Sequence, residues 1–195
     1  MSEKKAKRSE VLKITITAML LAVCMVSQVF KNLSVYITGP VVNTCLVLCL
    51  LTADLKYALL LSLNTPVTAY FIAASPVMTA VPGIIPLIMA GNIVLVVVAF
   101  ILVRPTLKKN TVKNNVMYVI TSAIAAGAKG AFMGLTIALW LLPTFLPQAG
   151  PLRKNLSVFQ KMFSLTQFLT ALIGFAYVYI VWQALKKFFA SEIGE

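Results

Sequence analysis

Six stretches of this chain are long and apolar on every side, and they hold one charged residue among them, Lys129. They run from Ile14 to Phe30, Val41 to Ala53, Tyr57 to Ala74, Ile84 to Val103, Val116 to Leu142 and Ser164 to Leu185. A helix with no polar face is not solvated by water along its length, and about 20 apolar residues cross the roughly 30 Å hydrocarbon core of a bilayer. The pattern predicts an all-α integral membrane protein. Its membrane domain, residues 14–185, is a six-transmembrane-helix bundle between a basic segment at 1–13 and a tail at 186–195. Composition agrees: only 11% of residues are charged, against about a quarter in soluble domains.

The second stretch is too short to cross alone. It is expected to borrow from Leu33 to Pro40, where Gly39-Pro40 is predicted to interrupt a regular helix. Irregular backbone at membrane depth is tolerated only against protein or a wet cavity. The first stretch follows Lys4, Lys5, Lys7 and Arg8, as a secretory signal would. It is longer than a signal's apolar core and lacks a small-residue cleavage site, so it is expected to stay as a helix.

The net charge of +12 reads orientation and not nucleic acid, because the charges lie between the apolar stretches. With the amino terminus inside, twelve of the seventeen basic residues fall on the cytoplasmic side, against Lys31, Arg153, Lys154 and Lys161 outside. That bias favours an even number of spans with both termini inside. All five acids, Glu3, Glu10, Asp54, Glu192 and Glu195, fall on the same inner side. Basic tails of this kind also attract anionic membrane lipid.

Catalytic chemistry has little to work with. There is no histidine, no carboxylate pair within the spans and no phosphate-cradling G-x-x-x-x-G-K-[ST] loop. The chain reads as a non-enzyme with no cofactor, dependent on a partner for any energy drawn from ATP. Cys24, Cys45 and Cys49 lie in apolar runs without C-x-x-C spacing, which favours small hydrophobes over a metal or disulfide framework.

Lys129 is the strongest single signal. It lies fourteen residues from both Asn115 and Pro143, about 21 Å of helix each way, too far for its stem to reach water. No acid within the spans is available to pair with it, so a backbone carbonyl, a wet cavity or an anionic ligand is required. Helical spacing puts Phe132, Met133, Thr136 and Trp140 on its face, a strip suited either to a flat polar ligand or to ordinary packing. Asn92 and Gln167 are polar groups within the apolar stretches, open to ligand contact or helix-to-helix bonding. Asn64, just before Thr65-Pro66, is expected to bond backbone freed by the proline. Ala126, Gly130 and Gly134 recur every four residues and mark a close helix contact; Ala18 and Ala22 form a weaker small-residue pair in the first helix.

These features together resemble the S component, the substrate-capture subunit, of energy-coupling-factor vitamin transporters. The resemblance rests on six spans in about 190 residues and on A-x-x-x-A in the first. It extends through Thr38-Gly39-Pro40-Val41-Val42-Asn43, Pro86 to Asn92, the mid-helix Lys129, and Gln167 to Gly174. The resemblance implies a vitamin-sized site near the outer surface, built from the Lys31 to Thr38 loop, Asn92, Lys129 and Gln167; Tyr36 within that loop, and Thr136 and Trp140 from helical spacing, complete the candidate ligand-binding set. It implies that Ala18 and Ala22 meet a T component that holds two ATPases, in a bacterial cytoplasmic membrane. The loop after the first span lacks the tryptophan of some thiamine-binding members. With no outer acid to neutralise a cation, a neutral or anionic solute is expected. Two other readings fit the same outline: a non-transporting scaffold of the rod-shape-determining kind, and a solitary carrier that works without ATPases.

Overall fold

The computed structural model describes residues 3–30, 34–107 and 112–193. Among the described residues the chain is all-α. Helix α1 spans Glu3–Val29, α2 Val35–Thr52, α3 Leu55–Ala73, α4 Pro76–Ala80 and α5 Ile84–Val98. Then follow α6 Val112–Met133, α7 Leu142–Phe145, α8 Pro151–Lys154, α9 Leu156–Met162 and α10 Leu165–Ile193. Among the described residues, five segments are long and apolar enough to cross a membrane: Ser9–Val29, Val35–Thr52, Ile84–Leu107, Lys113–Phe145 and Leu156–Leu185. This is the build of a multi-pass membrane protein. Helix α3 has 19 residues but is less apolar than those five, because Lys56, Asn64, Thr65 and Pro66 interrupt it.

Helix α2 is the central element, packed against α1, α3, α5 and α10, while α5 and α6 complete the ring between α3 and α10. Its residues 43–50 are buried on every side, which is why that stretch shows no polar face. The expected break at Gly39-Pro40 does not occur; α2 is helical from Val35 onward. Ser34 caps it, accepting from the Tyr36 N–H at 3.1 Å. Pro40 costs the helix one early hydrogen bond, and packing against α10 holds the turn: a methyl on Gly39 would meet Thr170 Cγ2 at 2.8 Å.

Helix α10 approaches both α2 and α6 closely, and glycines make this possible. A methyl on Gly174 would meet Asn43 Cβ at 2.9 Å and the Pro40 carbonyl oxygen at 3.1 Å. One on Gly130 would meet Phe168 Cβ at 2.9 Å. The Ala126-Gly130-Gly134 stripe is thus a packing seam, with Ala126 buried.

The ends of the bundle differ. At one, Tyr57 donates to the Glu10 carboxylate and Arg104 pairs with Asp54 at 3.5 Å. These contacts tie α1, the α2–α3 turn and the end of α5 together. Asp54 holds φ at +114° and accepts from the Leu55 N–H at 2.9 Å, capping α3. The other end carries the short helices α4, α7, α8 and α9 over an apolar cluster of Val77, Met78, Ile84, Met133, Leu142 and Phe163.

Two π-helical turns modify the long helices. Ala99–Val103 closes α5 before Pro105, whose missing N–H prevents further regular helix. Gly134–Leu141 continues α6, and Gln160 Nε2 donates to the Ala138 carbonyl within it at 2.9 Å.

Candidate functional site

A buried polar cluster lies toward the end capped by the short helices. Lys129, in the second half of α6, is 3% exposed. Its Nζ donates to Asn43 Oδ1 at 2.6 Å and to Asn92 Oδ1 at 2.8 Å. With its Oδ1 turned to Lys129, Asn92 directs Nδ2 to Thr65 Oγ1 at 3.4 Å. The Thr65 carbonyl accepts from Gln28 Nε2 at 3.0 Å. Helices α6, α2, α5, α3 and α1 each contribute one side chain to this chain of contacts.

The cluster answers the question posed by Lys129. Two amide oxygens, not backbone carbonyls or an acid, take its N–H donors. Placing a lysine at the centre of a membrane helix costs roughly 2.5–3.5 kcal/mol, and hydrogen bonds to a charged group return about 1.5–3 kcal/mol each. Amides supply acceptors without supplying negative charge. The Lys129 nitrogen is therefore hydrogen-bonded, and no acid lies beside it among the described residues that line the cavity.

Lys129, Asn43, Asn92, Thr65 and Gln28 all line a cavity of about 150 Å³. Thr38, Ser75 and Gln167 add polar groups, and Val35, Val42, Pro66, Ile88 and Phe163 add apolar wall. The volume is below the roughly 300–1,000 Å³ typical of pockets for drug-sized ligands, so the space suits a small solute. No described residue lining it is acidic.

Of the residues singled out from sequence, Asn92, Lys129 and Gln167 are brought together here. Gln167 lies at the start of α10, its Nε2 donating to the Met162 carbonyl at 3.3 Å. Thr136 and Trp140 do not line the cavity, and they do not share the face of Lys129. The π-helical turns from Gly134 onward carry i→i+5 bonding, so each residue advances less around the axis and the α-helical register is lost. Trp140 is 57% exposed and packs edge-on against Phe145. Thr136 donates back to the Phe132 carbonyl at 2.7 Å. Tyr36 is 55% exposed and off the cavity, while its neighbours Val35 and Thr38 line it. Lys31 lies outside the described residues. Asn64 is exposed and donates to the Leu60 carbonyl at 2.8 Å, whereas the carbonyl that Pro66 leaves without its helical donor is that of Ser62.

Sequence reading passed over Gln28, Thr65 and Asn43 as site residues. Asn43 had a signal of its own, an amide within an apolar stretch like Asn92. Ala18 and Ala22 lie on the exposed face of α1, the helix least buried within the bundle. The three cysteines are buried among the helices.

Comparison with protein-family models, curated proteins and solved structures finds no match to this chain.

Proposed function

We propose that this chain is the substrate-capture subunit of an energy-coupling-factor importer. It takes up a small neutral or anionic vitamin-like solute at the Lys129 cavity and delivers it inward with a T component and two ATPases. In this reading α3 is the sixth span despite its polar residues, and both termini face the cytoplasm of a bacterial cell. The short-helix end, with Arg153, Lys154 and Lys161, faces outward.

The reading rests chiefly on one observation: Lys129 is buried at a cavity wall, held by Asn43 and Asn92 with no acid beside it among the described residues. A membrane scaffold gains nothing from such a costly group, whereas an arriving anion would restore its missing Coulomb partner. A second support is α1, whose exposed face carries Ala18 and Ala22 among large apolar side chains such as Met19 and Val26. Small residues four apart allow another helix to approach closely.

Co-purification from mild detergent tests the proposal. A T component and ATPases are the expected companions; cell-shape machinery would favour the scaffold reading, and a chain that transports alone would favour the solitary carrier. Ala22→Trp is expected to leave solute binding intact and abolish uptake. Normal uptake by that variant, with its T component present, would overturn the interface assignment.

A further inference from the structure

Asn43 sits on the buried stretch of α2 and is 2% exposed. An ammonium only donates, so the amide oxygen must be the atom that faces Lys129 Nζ at 2.6 Å. The amide nitrogen, with its two N–H donors, is thereby turned the other way. No described residue accepts from it. It is not sealed either. Among the described residues, the buried side-chain atoms that lack both a partner and accessible surface are Gln28 Oε1, Ser122 Oγ and Trp182 Nε1. Asn43 Nδ2 therefore keeps some accessible surface, and on so buried a residue that surface belongs to the cavity it lines. The side chain has little freedom to turn away, because Lys129 holds its oxygen and Gly174 of α10 packs against its Cβ. One wall of the cavity thus presents a fixed, unpaired N–H donor one amide away from the Lys129 nitrogen.

Buried donors are nearly always paired, so an occupant of the cavity has to bring an acceptor to this point. We propose that Asn43 anchors the captured solute, and that the group it holds is a carboxylate, Nδ2 donating to a carboxylate oxygen beside the Lys129 charge. The proposal rests on the solute-capture reading above and narrows the solute from neutral or anionic to anionic. A neutral carbonyl would use the donor but leave the charge without a Coulomb partner, and a cation would use neither. A carboxylate uses both, and a hydrogen bond to it is about twice as strong as one to a neutral oxygen. The Lys129 charge acts through space, so the anion need not touch Nζ. Val42, Pro66, Ile88 and Phe163 give the rest of the solute an apolar wall, and the volume of about 150 Å³ restricts it to a single ring or little more.

The test sets single-ring acids against carboxamides of the same shape: nicotinate with nicotinamide, 4-aminobenzoate with 4-aminobenzamide, and orotate with orotamide. Binding to the full-length protein in detergent is followed by titration calorimetry, with thermal unfolding alongside. At least one acid is expected to bind wild type about 10- to 100-fold more tightly than its amide. Asn43→Asp keeps an oxygen for Lys129 and should melt no lower than wild type, yet it replaces the donor with a like charge. Acid binding should fall there by about 100-fold or more. Asn92→Asp neutralises Lys129 equally but leaves Asn43 Nδ2 in place, and should lose only about 10-fold. Asn43→Ala removes the donor without adding charge and should weaken the acid about 10-fold, read below its own melting temperature; it is the variant used if Asn43→Asp melts early. The carboxylate assignment is overturned if no acid binds or if amides bind as tightly as acids. The anchoring role of Asn43 is overturned if either of its variants keeps the wild-type affinity, or if the two aspartate variants lose equally, which would leave charge alone as the cause. Unchanged acid affinity in Lys129→Met would instead overturn the solute-capture reading itself.

Discussion

At Lys129 the energetics of burial make the two amides more than spectators. Removing the lysine strands the Asn43 and Asn92 oxygens, at about 1–3 kcal/mol each, but also removes its desolvation cost of roughly 2.5–3.5 kcal/mol, whereas removing one acceptor leaves the lysine buried with half its partners and no such return. Lys129→Met is therefore expected to change stability by no more than about 1 kcal/mol. Asn43→Ala, which leaves Nζ with Asn92 alone, should cost about 2–3 kcal/mol. Thermal unfolding of the two variants in the same detergent checks the ordering, and a Lys129→Met protein less stable than Asn43→Ala would refute it. Lys129 and Asn92 were legible as candidates because a charge or amide in an apolar run has no cheap explanation. Gln28 was not, since near a helix end a glutamine is readily imagined in water. Its burial comes from α3 packing over it, which no local pattern announces.

Helices α2 and α10 set the geometry on which those side chains depend. Asn43 sits directly opposite Gly174, and the Thr44 hydroxyl donates to the Gly174 carbonyl at 3.1 Å. A methyl at Gly174 would press on Asn43 and on α2 backbone, neither of which yields cheaply. Gly174→Ala is expected to destabilise the protein by about 1–3 kcal/mol and to weaken solute binding by shifting Asn43. Gly127→Ala is its control: a methyl there has nothing within 4 Å, so helix propensity should make that change neutral or stabilising by up to about 1 kcal/mol. Equal melting temperatures for the two alanine variants would count against the close-packing account. Element identity was readable from apolar runs, but two details were not. Helix α2 begins before Pro40 because α10 supports it, and the π-helical turns after Met133 rotate Thr136 and Trp140 off the Lys129 face. Neither propensity nor spacing encodes those choices; tertiary contacts do.

For the whole molecule, the charge bias sets the orientation expected in the bilayer. A cysteine in place of Lys154 should react with an impermeant maleimide from outside intact cells, and one in place of Lys56 should react only after permeabilisation. The native Cys24, Cys45 and Cys49 are buried, so background labelling should be low. The reverse pattern would overturn the outward assignment of the short-helix end and, with it, the route by which a solute reaches the cavity.

Sequence alone determined that this chain is helical and membrane-bound, because the cost of exposing apolar surface to water and backbone to lipid leaves few alternatives. It also isolated Lys129, since a charge at that depth is expensive wherever the helix sits. Only the tertiary structure decided how the charge is solvated. Asn43, Asn92, Thr65 and Gln28 come from four different helices and approach one another through the central position of α2 and the glycine seams of α10. Contacts of that kind depend on which helices are neighbours and at what rotation, and an apolar helix surrounded by apolar helices carries no face pattern from which either is read.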